Sequence, residues 1–134
     1  MTLQELIALN EKKNGGKAAP SEHALQVACV RWFRYAYPWP RYLIFSIPNG
    51  GYRTETTARA MKAEGQEPGI PDLCIPMARK GYHGLYIELK NGKAGQLSKY
   101  QKEKIEFLTR EGYLVVVCRN LIEFQKIVQN YFAI

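Results

Sequence analysis

The sequence predicts a single α/β domain, a mixed four-stranded sheet flanked by helices, from 134 residues. Three observations lead there. Segments with apolar residues spaced by three and four alternate with short apolar runs of strand length, in the order αα-β-α-β-β-α-β-α. The turn Arg79-Lys80-Gly81 separates the second and third runs, which makes them an antiparallel pair. A full helical pattern separates the third and fourth runs, which allows a parallel crossover.

Each element has a local cause. Thr2-Leu3-Gln4-Glu5 has capping-box form and opens a short helix to Asn10. Lys12-Lys13-Asn14-Gly15-Gly16-Lys17 reads as a linker, so residues 1–19 form an arm, mobile or docked on a partner subunit, before a domain over 20–134. Ser21 caps a long helix to about Tyr37 that Pro38 and Pro40 stop, with Leu25, Cys29, Trp32 and Ala36 as its inward stripe. Glu22 lies in its first turn and projects toward the core edge; complementing the helix dipole is by itself a sufficient role. Tyr42 to Ile47 is a strand-type run broken by Pro48-Asn49-Gly50-Gly51. Thr54 to Glu64 is then helical, closed by Gly65. Asn49-Gly50-Gly51 is therefore a strand-to-helix loop whose amides, with Arg53, are placed to contact a phosphate; a plain tight turn explains the same residues. Asp72 to Ile75 and the run through Leu85 to Lys90 are the paired strands, and Asn91 to Gly95 is a loop. Ser98 and Gln101 form a capping box for a helix to Glu111, with Gly112 at its end. Tyr113 to Cys118 is almost wholly apolar, as in a buried strand. Asn120 and Glu123 cap a last helix carrying Phe124, Ile127, Val128 and Phe132.

Composition narrows the function classes. Nineteen Lys and Arg against twelve Asp and Glu give a net charge of +7 and a pI near 9.4. That balance favours a polyanion, nucleic acid first, over a merely basic soluble protein. No stretch approaches the ~18 apolar residues of a membrane span, and the first residues lack a signal-peptide pattern. Cys29, Cys74 and Cys118 sit singly in apolar contexts, as free thiols do in a reducing, cytoplasmic compartment. There is no C-x-x-C pair, His23 and His83 are too scattered for zinc, and no phosphate-binding glycine loop of the Walker type implies a nucleotide cofactor.

The chemistry concentrates on two strands. In the run ending at Lys90, Leu85, Ile87 and Leu89 face one side; Tyr86, Glu88 and Lys90 face the other. Glu88 and Lys90 then stand about 6.6 Å apart along the strand, far for a tight pair but suited to converging on a third object. With neighbouring backbones about 4.8 Å apart, Asp72 and Glu88 share a site. Two bare carboxylates about 5 Å apart repel by roughly 3 kcal/mol at an effective dielectric of 20, and a hard divalent cation removes that penalty. A solvated cluster of strand-end charges is the plainer alternative. Gln101 aligns with Ile105 and Leu108 on an apolar helix face, so its amide needs a partner. Either it serves the capping box or it reaches Glu88, Lys90 or the water shell of a metal; one side chain does not easily do both.

Glu22, Gly69-Ile70-Pro71-Asp72, Glu88-Leu89-Lys90 and Gln101, in this order, resemble the PD-(D/E)-x-K nuclease superfamily, and within it the VRR-NUC family of virus-type replication and repair nucleases. Pro48 to Gly51, Gly65 to Asp72, Leu97-Ser98 and Gly112-Tyr113 extend the resemblance over about residues 20 to 132. It implies a restriction-endonuclease-like αβββαβ core and metal-dependent phosphodiester hydrolysis. Asp72 and Glu88 would hold Mg²⁺ or Mn²⁺, commonly with the carbonyl of Leu89, and with Glu22 directly or through water. Lys90 would orient the attacking water and offset transition-state charge, with Gln101 behind the ligands. Stand-alone modules of the family look like junction resolvases that act as homodimers on branched DNA. Arg53, Arg59, Lys62, Lys93, Lys99 and Lys102 suit a DNA backbone, although each alone is an ordinary surface charge. The expected function is a structure-selective DNA endonuclease of the Holliday-junction-resolvase kind. The rivals are a non-catalytic DNA-binding or assembly subunit and a sequence-specific restriction endonuclease, for which a short chain leaves little recognition surface.

Overall fold

A computed structural model describes residues 21–48, 54–92 and 95–134. The predicted helix over 2–10, its linker, the Asn49-Gly50-Gly51 loop with Arg53, and Lys93 lie outside the described residues. The described chain runs α1 (Glu22–Ala36), β1 (Phe45–Ser46), α2 (Glu55–Ala63), β2 (Leu73–Ile75), β3 (Leu85–Leu89), α3 (Lys99–Arg110), β4 (Leu114–Cys118) and α4 (Leu121–Phe132). The four strands form one sheet in sequence order, with β1–β2 and β2–β3 antiparallel and β3–β4 parallel. Helix α3 makes the crossover between the parallel pair, as its place in the sequence requires.

The helix starts are those the sequence marks. Ser21, Thr54, Ser98 and Asn120 each accept a backbone N–H from three residues on. Gly65 and Gly112 follow α2 and α3 with φ of +108° and +95°. The β2–β3 hairpin closes through Lys80 and Gly81, both at positive φ (53° and 83°), the conformation that matches strand twist in a two-residue turn.

Helices α1 and α4 pack on the face carrying Leu85, Ile87 and Leu89 and close the core with Phe33, Phe124, Val128 and Tyr131. Helix α3 covers the opposite face, where Glu88 points. The predicted α1 stripe needs correction: Leu25, Cys29 and Phe33 are buried, Trp32 is half-buried and Ala36 is exposed. Packing against α4 turns the helix so that Phe33 faces inward; Trp32 meets Phe124 edge-on at the margin, with centroids 5.9 Å apart. Strand β1 is shorter than its apolar run, because only Phe45 and Ser46 pair with Cys74 and Leu73. Strand β4 is half-buried, because it is an edge strand, and only Cys118 is fully enclosed. Tyr131 enters the core in addition to the expected Phe124 and Val128, its hydroxyl donating to the Met77 carbonyl at 2.6 Å. The three cysteines are free and buried; burial pushes Cys29 and Cys118 up to about 12 and Cys74 to about 11, so all are neutral thiols. No helix among the described residues is long and apolar enough to cross a membrane.

Candidate active site

The register of the hairpin builds the site. Leu73 pairs with Ile87, so one step beyond β2 Asp72 lies opposite Glu88, at the end away from the turn. Asp72 is anchored on both sides. Its carbonyl accepts the Ile47 N–H at 2.8 Å, and its Oδ2 accepts the Leu89 N–H at 2.8 Å, so the carboxylate stands where a ladder partner would be. Three residues earlier the chain passes flush against the first turn of α3. A Cβ on Gly69, whose φ is +87°, would fall 2.4 Å from the carbonyl carbon and oxygen of Tyr100. Only glycine meets both demands, which is the physical content of Gly69 in the Gly-x-Pro-Asp pattern.

Gln101 does what one side chain was not expected to do. Its Oε1 accepts the Ser98 N–H at 2.8 Å, completing the capping box, while its Nε2 donates to Glu88 Oε1 at 2.8 Å. The two ends of an amide are different groups, and here they serve different masters: the oxygen holds the helix start and the nitrogen holds the acid. Lys90 Nζ stands 3.8 Å from Glu88 Oε1, a loose pair between side chains that are both nearly enclosed.

Enclosure sets the charge state. Burial raises the Glu88 carboxyl, the adjacent Asp72 carboxylate raises it further and Lys90 opposes, leaving it at about 8. Asp72 is also raised by burial, against the pull of the Leu89 N–H. The hydrogen bond between the two acids raises Glu88 and lowers Asp72, so the shared proton resides on Glu88. Two facing carboxyls, together with the Leu89 carbonyl, which leaves β3 on the same side as its N–H, form an all-oxygen donor set. The chemistry of that set fits a hard cation such as Mg²⁺ or Mn²⁺, which typically uses one or two protein carboxylates and would take the place of the shared proton. Among the described residues no group of three or more His, Cys, Asp or Glu side chains is arranged to hold an ion alone. Glu22 is exposed at the start of α1, yet its charge raises both acids.

Asp72, Glu88, Lys90, Gln101 and the Leu89 backbone thus meet, with Glu22 at the margin. The described basic residues are less uniform. Arg59 is tied to Glu55 at 2.6 Å on exposed α2, whereas Lys62 and Lys99 are exposed. Asn49, Gly50, Gly51, Arg53 and Lys93 lie outside the described residues.

Sequence reasoning missed Arg119. Leu89 pairs with Cys118, so Arg119 is level with Lys90, whose N–H donates to the Cys118 carbonyl at 3.0 Å. The Arg119 Nη1 donates to the carbonyls of Gly92 at 2.7 Å and Gly95 at 2.8 Å. Gly95 in turn lies on the Lys90 stem, where an added Cβ would be 3.1 Å from Lys90 Cβ. The guanidinium therefore ties Gly92 and Gly95 to the end of β4, beside Lys90. Its only advance signal is a lone arginine ending an apolar strand, level with a glycine loop whose carbonyls need donors.

The family model of the VRR-NUC domain matches residues 21–120, a span that starts before Glu22 and ends just past Arg119. A solved structure described as a VRR_NUC domain protein shares 32% identity, over 84% of this chain and 88% of that one, with a TM-score of 0.72. No curated protein matches. With the fold, the motif order and the family match in agreement, this chain belongs to the VRR-NUC family and has its nuclease-type fold.

Proposed function

We propose that this protein is a DNA endonuclease that hydrolyses phosphodiester bonds with Mg²⁺ or Mn²⁺. The observation that carries the reading is the pair Asp72 and Glu88, set opposite each other by the strand register beside Lys90. A structural role would gain nothing from holding two acids where one must keep a proton. Asp72, Glu88 and the Leu89 carbonyl would hold the cation, with Glu22 at its margin. The cation, when bound, supplies Lewis-acid polarisation of the scissile phosphate and a more acidic water. Lys90 places a point charge beside the attacked phosphorus and orients the attacking water. Gln101 fixes the rotamer of Glu88 from the helix side. In this reading the preferred substrate is branched DNA, cut by a two-fold dimer with one site for each strand. The +7 charge supports a DNA partner, and the lack of a base-reading motif supports recognition by backbone shape.

The test is a labelled four-way junction and a linear duplex incubated with the protein and Mn²⁺, beside Asp72→Asn and Lys90→Ala. Wild type nicks the junction, and each variant is slower by about 100-fold or more. Equal cutting by all three sinks the assignment. DNA binding without cleavage in any metal would instead favour a non-catalytic subunit, and discrete fragments of linear duplex a sequence-specific enzyme.

A further inference from the structure

We propose that the groove between α1 and β1 is the track along which the nucleic-acid backbone reaches Asp72 and Glu88. The inference rests on the nuclease reading and adds to it a surface outside the metal site.

The groove encloses about 440 Å³. His23, Val27, Arg31 and Arg34 fall on one face of α1 and line one wall; Phe45 and Ser46 of β1 line the other. Val27 is 40% exposed and Phe45 is 42% exposed, which gives each wall an apolar patch. The described lining carries two guanidinium groups and an imidazole and no acid. Neither arginine makes an ion pair with another described residue, whereas Arg59 is bound by Glu55 and Lys104 by Glu67. Guanidinium groups with no acid partner among the described residues, on a shared wall, suit successive phosphates, and an exposed aromatic beside them suits a sugar or a base face.

Both walls end next to a residue that bears on the acid pair. On α1, His23 follows Glu22, whose charge bears on both Asp72 and Glu88. On β1, Ser46 precedes Ile47, whose N–H is bonded to the Asp72 carbonyl at 2.8 Å. A phosphodiester lying on Arg31 and Arg34 would follow α1 back toward Glu22, at the margin of the acid pair.

The test is binding of a labelled four-way junction, followed by fluorescence anisotropy in EDTA across a salt series so that no cutting intervenes. Arg31→Gln combined with Arg34→Gln should weaken binding about 10- to 60-fold near 0.1 M salt and lower the slope of log K against log salt by about 1.8, or 0.9 for each phosphate no longer neutralised. Each single variant should show about half of that change in slope. Lys80→Gln, in the hairpin turn at the opposite end of β2 and β3 from the acids, should leave the slope unchanged. An unaltered affinity and slope in the double variant would overturn the proposal. So would a double variant that sediments as a monomer where wild type is a dimer, because the groove would then be an interface between copies of this chain. Failure here is separable from failure of the nuclease reading, which is judged by cleavage with Asp72→Asn and needs neither arginine.

Discussion

Glu88→Gln gives the sharpest test of how the acid pair is held. Glu88 is 3% exposed and sits at about 8 in the folded protein against an ordinary 4.5. The folded state therefore holds this proton more tightly than the unfolded chain does. Its stabilising contribution is complete below pH 4.5 and is lost as pH rises through 8. At about 1.4 kcal/mol per pH unit, the metal-free protein loses about 4 kcal/mol from this group between about pH 5 and pH 9, and about 3 kcal/mol of its low-pH stability is gone by about pH 7. That is a large share of the ~5–15 kcal/mol that holds a typical domain together. Glutamine at position 88 copies the protonated acid. Its oxygen still accepts from Gln101, and its amide N–H donates to Asp72, at every pH.

The assay is urea unfolding in EDTA at several pH values, read by circular dichroism. The variant should gain on wild type steadily as pH rises and surpass it well before about pH 9. Mn²⁺ at about 100 times its dissociation constant should return about 2.7 kcal/mol to wild type near pH 8 and much less to the variant, which lacks one ligand charge. Parallel stability curves for wild type and Glu88→Gln would refute the reasoning, because they would mean that Glu88 is not forced to keep a proton beside Asp72.

Two further substitutions probe the supports of the site. Gly69→Ala drives a methyl group to 2.4 Å from the Tyr100 backbone at a φ of +87°, and should cost at least about 3 kcal/mol in thermal unfolding; Gly65→Ala, also at positive φ but facing open space, should cost only about 1–2 kcal/mol. Equal losses for the two would show that the approach to α3 is not rigid. Arg119→Ala frees the Gly92 and Gly95 carbonyls and should lower the proposed kcat about 10-fold with little change in KM, because Lys90 loses its lateral support but the DNA surface does not. Arg119→Lys should recover part of kcat, and a change confined to KM would place Arg119 in DNA binding instead.

What was legible in the sequence was local. The caps at Ser21, Ser98 and Asn120, the Arg79 to Gly81 turn and the facing of Leu85, Ile87 and Leu89 depend on residues within one turn or one strand of each other. The candidate site was legible in part for a related reason: Glu88 and Lys90 share a strand face by period alone, whereas the register that sets Asp72 opposite Glu88 was not, because the strands pair one residue out of step with the Arg79–Tyr82 bridge at the turn. What escaped depends on distant chain. Phe33 displaced Trp32 and Ala36 because α4, almost 90 residues later in the sequence, decides which side of α1 is inside. The apolar run of β4 signals burial, but its edge position follows from the order of the whole sheet. Arg119 carries no motif and acquires its role only when parallel pairing sets it level with Lys90.

Gln101 shows why the spacing from Gly69 through Glu88 to Gln101 in this chain is a geometrical necessity. The first turn of α3 must meet two strangers at once. Its backbone at Tyr100 receives Gly69, which fixes the segment leading to Asp72, and its side chain at Gln101 receives Glu88. Capping holds the amide of Gln101 in place, so the helix start presents a rigid donor to a carboxyl that is otherwise under electrostatic strain. Lengthening the loop from Lys90 to Ser98 would move that donor, and replacing Gly69 would lift the helix from the Asp72 segment. The two acids are thus held together by the fold, and the proton they share offsets the repulsion between them. That is the condition a cation site must satisfy if its geometry is to exist before the ion arrives.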